Sequence, residues 1–483
     1  MAEELTLWSP HGSVLVGGEW RAGRGGEVVV LDPATEEPVV RLQGADRADV
    51  EAAVVAARDA GPAWAATAPR RRSEILRAVF DAMHHRSDEI AELITSENGK
   101  SLSDAIAEVS YAAEFFRWFS EEAVRPRGSF GPAPAGGTRT LVQSRPVGVA
   151  GLVTPWNFPA AMVTRKVAPA LAAGCTVVLK PPSETPLTSL FLADLMIEAG
   201  LPAGVLNVVP SADSSMVGST LLEHPDVRKI SFTGSTRVGR ILLAQAADRI
   251  VNSSMELGGN APFIVADTAD VDAAVGGALV AKFRAGGQAC VAANRFYVHD
   301  AVHDEFVEKF GEKVAALHVG PGASGAEIGP MISAKARDTV TRLVDAAVAA
   351  GAQVAARAQA PEGAGFWYPP TLLTGVKPDA EIVAEEIFGP VAPIVRWSDD
   401  DELVRWVNDS EMGLSAYIYD RDLQRAMRIC ERLDTGMVGV NRGLVSDPAA
   451  PFGGTKQSGL GREGSQEGMD AFLETQYLSI AWP

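Results

Sequence analysis

Residues 147–180 read VGVAGLVTPWNFPAAMVTRKVAPALAAGCTVVLK. Residues 147–153 form a short β-branched and apolar run, the chain up to Ala173 has helical composition, and 176–180 is a second β-branched run. Short apolar runs alternating with helical segments predict βαβ units and a parallel sheet covered on both faces. The rhythm continues downstream, with a helix to Ala199, a strand at 205–209, a helix at 214–224, a strand at 229–233 and a helix at 236–247. A second α/β series from about Pro262 to Val440 predicts another domain. Sheets of this kind bind their ligands beyond the carboxyl ends of the strands, which points to the residues just after 153, 180 and 233.

Upstream, 46–124 reads as helices at 49–60, at 70–96 (stopping at Asn98-Gly99) and at 103–123. The aromatic residues Phe115, Phe116, Trp118 and Phe119 of the third are read as core packing. Pro126, Gly128, Gly131, Pro132, Pro134, Gly136 and Gly137 then break the helix before an extended segment at 138–142.

At 483 residues the chain exceeds one ordinary core, so two large domains are expected. Its 47% hydrophobic and 22% charged residues suit a packed globular enzyme. Sixty-one acidic against 43 basic side chains give a charge of −18, which repels phosphate backbones and anionic lipids and argues against a nucleic-acid or membrane partner. Cys175, Cys290 and Cys430 are odd in number and widely spaced, so neither a disulfide framework nor a metal site is expected. The acidic start Met1-Ala2-Glu3-Glu4 has no apolar core of a signal peptide. The longest apolar run, 167–179, lies between Lys166 and Lys180 and is shorter than the ~20 residues a bilayer requires. A cytoplasmic location is the expectation.

Candidate chemistry lies in four places. In Ser231-Phe232-Thr233-Gly234-Ser235-Thr236 a strand, a Gly-Ser turn and a helix start follow one another. Such a turn is either ordinary capping or, through its free N–H groups and helix dipole, an anion site. Lys180 adds a cation at a neighbouring strand end. Cys290 ends the glycine-rich Arg284-Ala285-Gly286-Gly287-Gln288-Ala289-Cys290, where a lone thiol is either inert or, with backbone room for a substrate and a cation such as Arg284 beside it, a nucleophile. Glu256, between Ser254-Met255 and Leu257-Gly258-Gly259, is a solvated loop acid or a buried general base. Asn157, in Pro155-Trp156-Asn157-Phe158-Pro159, is a turn residue or an oxyanion donor.

Taken together, Pro155–Pro159, Lys180-Pro181, Phe232-Thr233-Gly234-Ser235, Glu256-Leu257-Gly258-Gly259, Gly287-Gln288-Ala289-Cys290, Glu386-Ile387-Phe388-Gly389-Pro390 and Pro451-Phe452-Gly453-Gly454 resemble, in order, the aldehyde dehydrogenase superfamily. The resemblance runs from about Val14 to the C-terminus. It implies Cys290 as nucleophile, Glu256 as base for the deacylating water, and Asn157 with the Cys290 N–H as oxyanion hole, Lys166 being similar to a family lysine near the active site. It assigns Lys180 and Glu386 to the two riboses, Trp156, Gly234 and Ser235 to the pyrophosphate region, and Phe388 to the nicotinamide. The implied reaction is thiolate addition, hydride transfer to the nicotinamide and thioester hydrolysis. The implied fold is α/β: a Rossmann-type dinucleotide-binding domain (1–124 and 143–255), an α/β catalytic domain (256–447) and a small β oligomerisation arm (125–142 and 466–483), with a homo-oligomer, dimer or tetramer, as the expected assembly.

Thr164-Arg165-Lys166, Lys282-Phe283-Arg284, Ala293-Asn294-Arg295 and Gly459-Leu460-Gly461-Arg462-Glu463-Gly464 are most similar to the succinate-semialdehyde dehydrogenases. By that resemblance Arg165, Arg284 and Ser446 grip the carboxylate of a small anionic aldehyde, chemistry that two guanidinium groups and a hydroxyl suit. Three departures stand out. Asn441-Arg442-Gly443 carries a cation where the branch has an acid, which makes Arg442 a candidate substrate contact and keeps sulfolactaldehyde, glutarate semialdehyde or 2-oxoglutarate semialdehyde in play. Ala292 replaces a second cysteine, which argues against a disulfide switch at Cys290. Ser183 stands where NAD-preferring relatives often have Glu, which tilts the expectation to NADP, with NAD kept open by Glu184. A CoA-acylating enzyme is disfavoured by Glu256, and a non-catalytic protein that kept the fold by the retention of both Cys290 and Glu256.

Overall fold

The computed structural model describes residues 10–125 and 128–482; the acidic start Met1–Glu4 and Pro126 lie outside them. Two open, mixed but mainly parallel sheets form the centre. The first runs Glu19–Arg21, Val14–Val16, Leu206–Val208, Thr176–Lys180, Val149–Val153, Val227–Thr233, Asn252–Glu256 and Gly459–Leu460. Its five central strands are mutually parallel. The second runs Gln353–Arg357, Thr371–Thr374, Val391–Trp397, Ala293–His299, Ala261–Val265, Ser415–Tyr419 and Met437–Val440, parallel except at its first pairing. Continuous apolar strands such as Thr176–Lys180 and Ala261–Val265 are buried along their whole length, as helices on both faces require.

Of the upstream helices, 103–123 corresponds to Leu102–Glu122 and 49–60 extends to Arg47–Ala66, opened by a reciprocal Asp46/Asp49 capping box. The segment 70–96 is two helices, Pro69–His85 and Ser87–Asn98, because Arg86 leaves helical geometry at φ −113°, ψ 27°. Phe115, Phe116 and Phe119 are buried as expected and Trp118 is half-buried. The strands Gly128–Pro132, Thr138–Pro146 and Leu473–Ala481 make a separate antiparallel sheet. It thus reaches past 142, whereas Ser465–Asp470 is a helix packed against Leu102–Glu122 and Ala161–Ala173. No helix among the described residues is long and apolar enough to cross a membrane.

Candidate active site

The carboxyl ends of the first sheet face the amino ends of strands of the second. Trp156 and Asn157 follow Val149–Val153, Gly234 and Ser235 follow Val227–Thr233, and Glu256 ends Asn252–Glu256. Cys290 precedes Ala293–His299, while Glu386 and Phe388 precede Val391–Trp397. These loops enclose a cavity of about 240 Å³ lined by Trp156, Asn157, Gly234, Ser235, Cys290, Glu386 and Phe388, among others. A second, narrow cavity on the other side of Cys290 is lined by Tyr111, Arg165, Arg284, Ser446 and Phe452. Cys290 is therefore a wall shared by two spaces.

Two close approaches make this wall. A Cβ on Gly259 would lie 2.2 Å from the Cys290 carbonyl oxygen, and one on Gly287, whose φ is +73°, would lie 2.4 Å from that of Gly389. Only glycine fits either place. Burial pushes the Cys290 thiol up to about 12, and the cation that works against this is Arg165, with Glu386, Glu256 and Glu463 opposing it. Arg284, expected to favour the thiolate, is half-buried over the Phe158 ring, 5.2 Å from its centroid, and lines the second cavity with Cys290.

Glu256 is 3% exposed, and its Oε2 has no hydrogen-bond partner. Burial first, and then the Glu463 charge, raise its carboxyl well above the ordinary value, against Lys166, Arg165 and Arg462. Asn157 donates from Nδ2 to the Gln288 carbonyl at 2.9 Å, leaving its second N–H free. Its own carbonyl accepts from Lys100 Nζ at 2.7 Å, and Lys100 pairs with the buried Glu108, which accepts from the N–H groups of Ala160 and Ala161.

On the first-cavity side, Ser235 caps the helix Thr236–Ala247 through Val238 N–H at 3.4 Å and also lines the cavity. Glu386 Oε1 accepts from Gly259 N–H at 3.1 Å, and burial raises its carboxyl to about 7. Phe388 lies edge-on to Trp156 with ring centroids 5.6 Å apart. Lys180 donates to Ser214 Oγ at 2.7 Å, and burial lowers it to about 8. Ser183 hydrogen-bonds the exposed Glu184 at 3.3 Å. Lys180 and Ser183 lie beyond the lining of this cavity, along the same sheet edge.

Arg165 is 2% exposed. Its Nη2 donates to the Tyr111 hydroxyl, Phe452 lies under its guanidinium at 3.9 Å, and Nε and Nη1 have no hydrogen-bond partner. Glu463 stands 3.7 Å from Nη1 and also takes the Lys166 ammonium, whose Nζ donates to Ser231 Oγ at 2.9 Å. Lys166 is thus buried in an ionic network behind the site. Arg442 is exposed and lines neither cavity, so the structure does not bring it to Arg165 and Arg284.

The sequence reading gave no role to Glu463, Tyr111, Lys100 or Glu108. Glu463 sits in a glycine-rich motif already singled out, but its partner Lys166 is 297 positions away. Among the described residues no group of three or more His, Cys, Asp or Glu side chains could hold a metal ion.

Residues 20–478 match the model of the aldehyde dehydrogenase family. The chain is 52% identical to a succinate-semialdehyde dehydrogenase of Paenarthrobacter nicotinovorans, covering 92% of this chain and 98% of the relative. It is 44% identical to a 3-sulfolactaldehyde dehydrogenase of Pseudomonas putida, covering 96% of each. The crystal structure of an NADP-dependent enzyme of E. coli superposes with a TM-score of 0.96 at 46% identity, covering 98% of both chains. With the family match, the sequence identity and the shared fold in agreement, the chain belongs to the aldehyde dehydrogenase family.

Proposed function

We propose that this enzyme oxidises a small aldehyde bearing a carboxylate, succinate semialdehyde first among them, to the corresponding acid with NADP or NAD. The observation that carries the reading is the second cavity. Two arginines and Ser446 meet there beside Cys290, and the buried Arg165, whose Nη1 faces Glu463 at 3.7 Å, keeps Nε and Nη1 without hydrogen-bond partners. In a chain of charge −18, such donors fit an anionic substrate. Arg442, outside this cavity, lends no support to a sulfonated aldehyde.

The first cavity suits a dinucleotide. The Gly234-Ser235 turn opens a helix, Glu386 presents a buried carboxyl, and Thr233 Oγ1 and Asn157 Oδ1 are buried without partners on its lining. Trp156, Gly234, Ser235, Glu386 and Phe388 would hold it there, with Lys180 and Ser183 further along the edge. When bound, it supplies the two-electron acceptor that turns the aldehyde adduct into a thioester. Ser183 is neutral and leaves room for a 2′-phosphate, which favours NADP.

The chain's own residues do the rest. Cys290 releases its proton to solvent, and the thiolate, favoured by the Arg165 charge, adds to the aldehyde carbon to form the C–S bond. The free Asn157 N–H and the Cys290 N–H receive the negative charge that forms on the aldehyde oxygen. Glu256 then takes a proton from water attacking the thioester, the C–S bond breaks, and the acid leaves with the thiolate restored. Lys166 acts behind the site through Glu463.

By the same resemblance we infer the three-part division, with the arm drawn as the antiparallel sheet of Gly128–Pro132, Thr138–Pro146 and Leu473–Ala481, in a cytoplasmic homo-oligomer. The test of the activity is kcat/KM for succinate semialdehyde, butanal and a sulfonated aldehyde, each with NADP and NAD. Preference for the semialdehyde supports the reading. Preference for butanal removes the arginines from substrate binding.

A further inference from the structure

Two buried asparagines near the first cavity have no part in this chemistry. Asn260 follows Leu257-Gly258-Gly259 and leads into the strand Ala261–Val265, and Asn294 lies on the neighbouring parallel strand Ala293–His299. They are 4% and 2% exposed. Asn294 Nδ2 donates to Asn260 Oδ1 at 2.7 Å and to the Glu385 carbonyl at 2.8 Å, while its Oδ1 accepts from Ile387 N–H at 3.2 Å. Asn260 Nδ2 donates to the carbonyls of Val383 at 2.9 Å and Ala384 at 3.1 Å. Apart from the bond between them, every one of these contacts ends on backbone flanking Glu386.

The segment so held is under strain. Phe388 has φ +50°, in the left-handed region that a bulky side chain rarely adopts. Backbone of this kind persists where its surroundings over-determine it. Glu386 is fixed from a second side, because its carboxylate accepts from Gly259, the neighbour of Asn260. Both Glu386 and Phe388 line the cavity. A carboxamide offers donors and an acceptor at one point without adding charge, which meets the needs of three carbonyls and one N–H beside an acid already raised to about 7 by burial.

We propose that Asn260 and Asn294 are positioning residues: an amide clamp that fixes 383–387 and thereby holds Glu386 and Phe388 against the nicotinamide half of the dinucleotide. The inference rests on the reading of the cavity as a dinucleotide site. Asn294→Asp is nearly isosteric but removes both donors and sets a carboxylate against the Asn260 and Glu385 oxygens. Asn260→Ala breaks the clamp from the other strand, so a folding failure of one variant leaves the other to decide.

The experiment titrates the wild-type enzyme and both variants with NADPH, followed by its fluorescence, and with adenosine 2′,5′-bisphosphate, which lacks the nicotinamide half. NADH and ADP form a parallel pair. The expected result is a Kd for NADPH or NADH weakened by about tenfold or more, with the Kd for the matching adenosine ligand within about twofold of wild type. Parallel weakening of both ligands reduces the asparagines to general packing and overturns the inference, as does an unchanged NADPH affinity. A wild-type enzyme that binds neither reduced dinucleotide overturns the functional reading and the inference together.

Discussion

Replacing Arg284 and Arg165 separately by methionine should divide two effects that the sequence alone ran together. A hydrogen bond from a charged donor to a carboxylate contributes about 1.5–3 kcal/mol. Arg284 is half-buried and has no ion-pair partner among the described residues, only the Phe158 ring beneath it, so solvent screening holds it to the lower part of that range. A loss of about 1.5–2 kcal/mol lowers kcat/KM for succinate semialdehyde by about 10–30-fold. Butanal, which lacks the carboxylate, should change by no more than about threefold.

Arg165 differs because it is buried at 2% exposure and acts on Cys290 as well as on the cavity. Its loss on the semialdehyde should reach about 3 kcal/mol, or roughly 150-fold. Butanal should suffer too, because the charge that favours the thiolate has gone. With that charge removed the thiol rises further, so alkylation of Cys290 by iodoacetamide should need a higher pH in Arg165→Met than in the wild-type enzyme. Arg284→Met should leave the alkylation profile in place. The assays are steady-state kinetics on the two aldehydes and alkylation rate against pH. Equal losses on both aldehydes in Arg284→Met, or an unmoved alkylation profile in Arg165→Met, would refute this reasoning.

Glu256→Gln should accumulate the acyl-enzyme, visible by intact-mass analysis; turnover at the wild-type rate with no adduct would remove Glu256 from deacylation. Because burial raises the Glu256 carboxyl well above its ordinary value, its base form appears only as pH rises through that raised value, so wild-type deacylation should climb with pH where an ordinary carboxylate would already be flat. Ser183→Glu places a carboxylate where a 2′-phosphate is expected and should weaken NADP relative to NAD by roughly 1 kcal/mol, about fivefold; an unchanged ratio of the two dissociation constants would sink that assignment.

The alternating strands and helices were legible because each is a local pattern, and the helix Thr236–Ala247 falls where its capping serine and periodicity put it. The break after His85 was not, since apolar spacing continues through Arg86 and no proline or glycine marks the turn. At the site, Cys290, Glu256 and Asn157 stood out through their glycine and proline neighbours. Glu463 and the pair Asn260/Asn294 bond to partners distant in sequence, as does Lys100 to the Asn157 carbonyl, and a polar residue beside or within an apolar strand gives no local sign of what it will bond. Arg442 stood out as a cation where the branch has an acid, but its exposed side chain lines neither cavity.

The placement of Cys290 between two cavities also bears on how such an enzyme diversifies. On the proposed reading, each ligand would reach the sulfur from its own cavity, and neither would have to cross the other's path. Changes confined to Tyr111, Arg284 or Ser446 can redirect the choice of aldehyde without touching the contacts made by Trp156, Ser235 or Phe388. On that reading, the two sides offer two independent routes to selective blockade: an anionic electrophile shaped for the narrow, arginine-lined side would discriminate among relatives by substrate, and one entering from the broad side would compete with the dinucleotide.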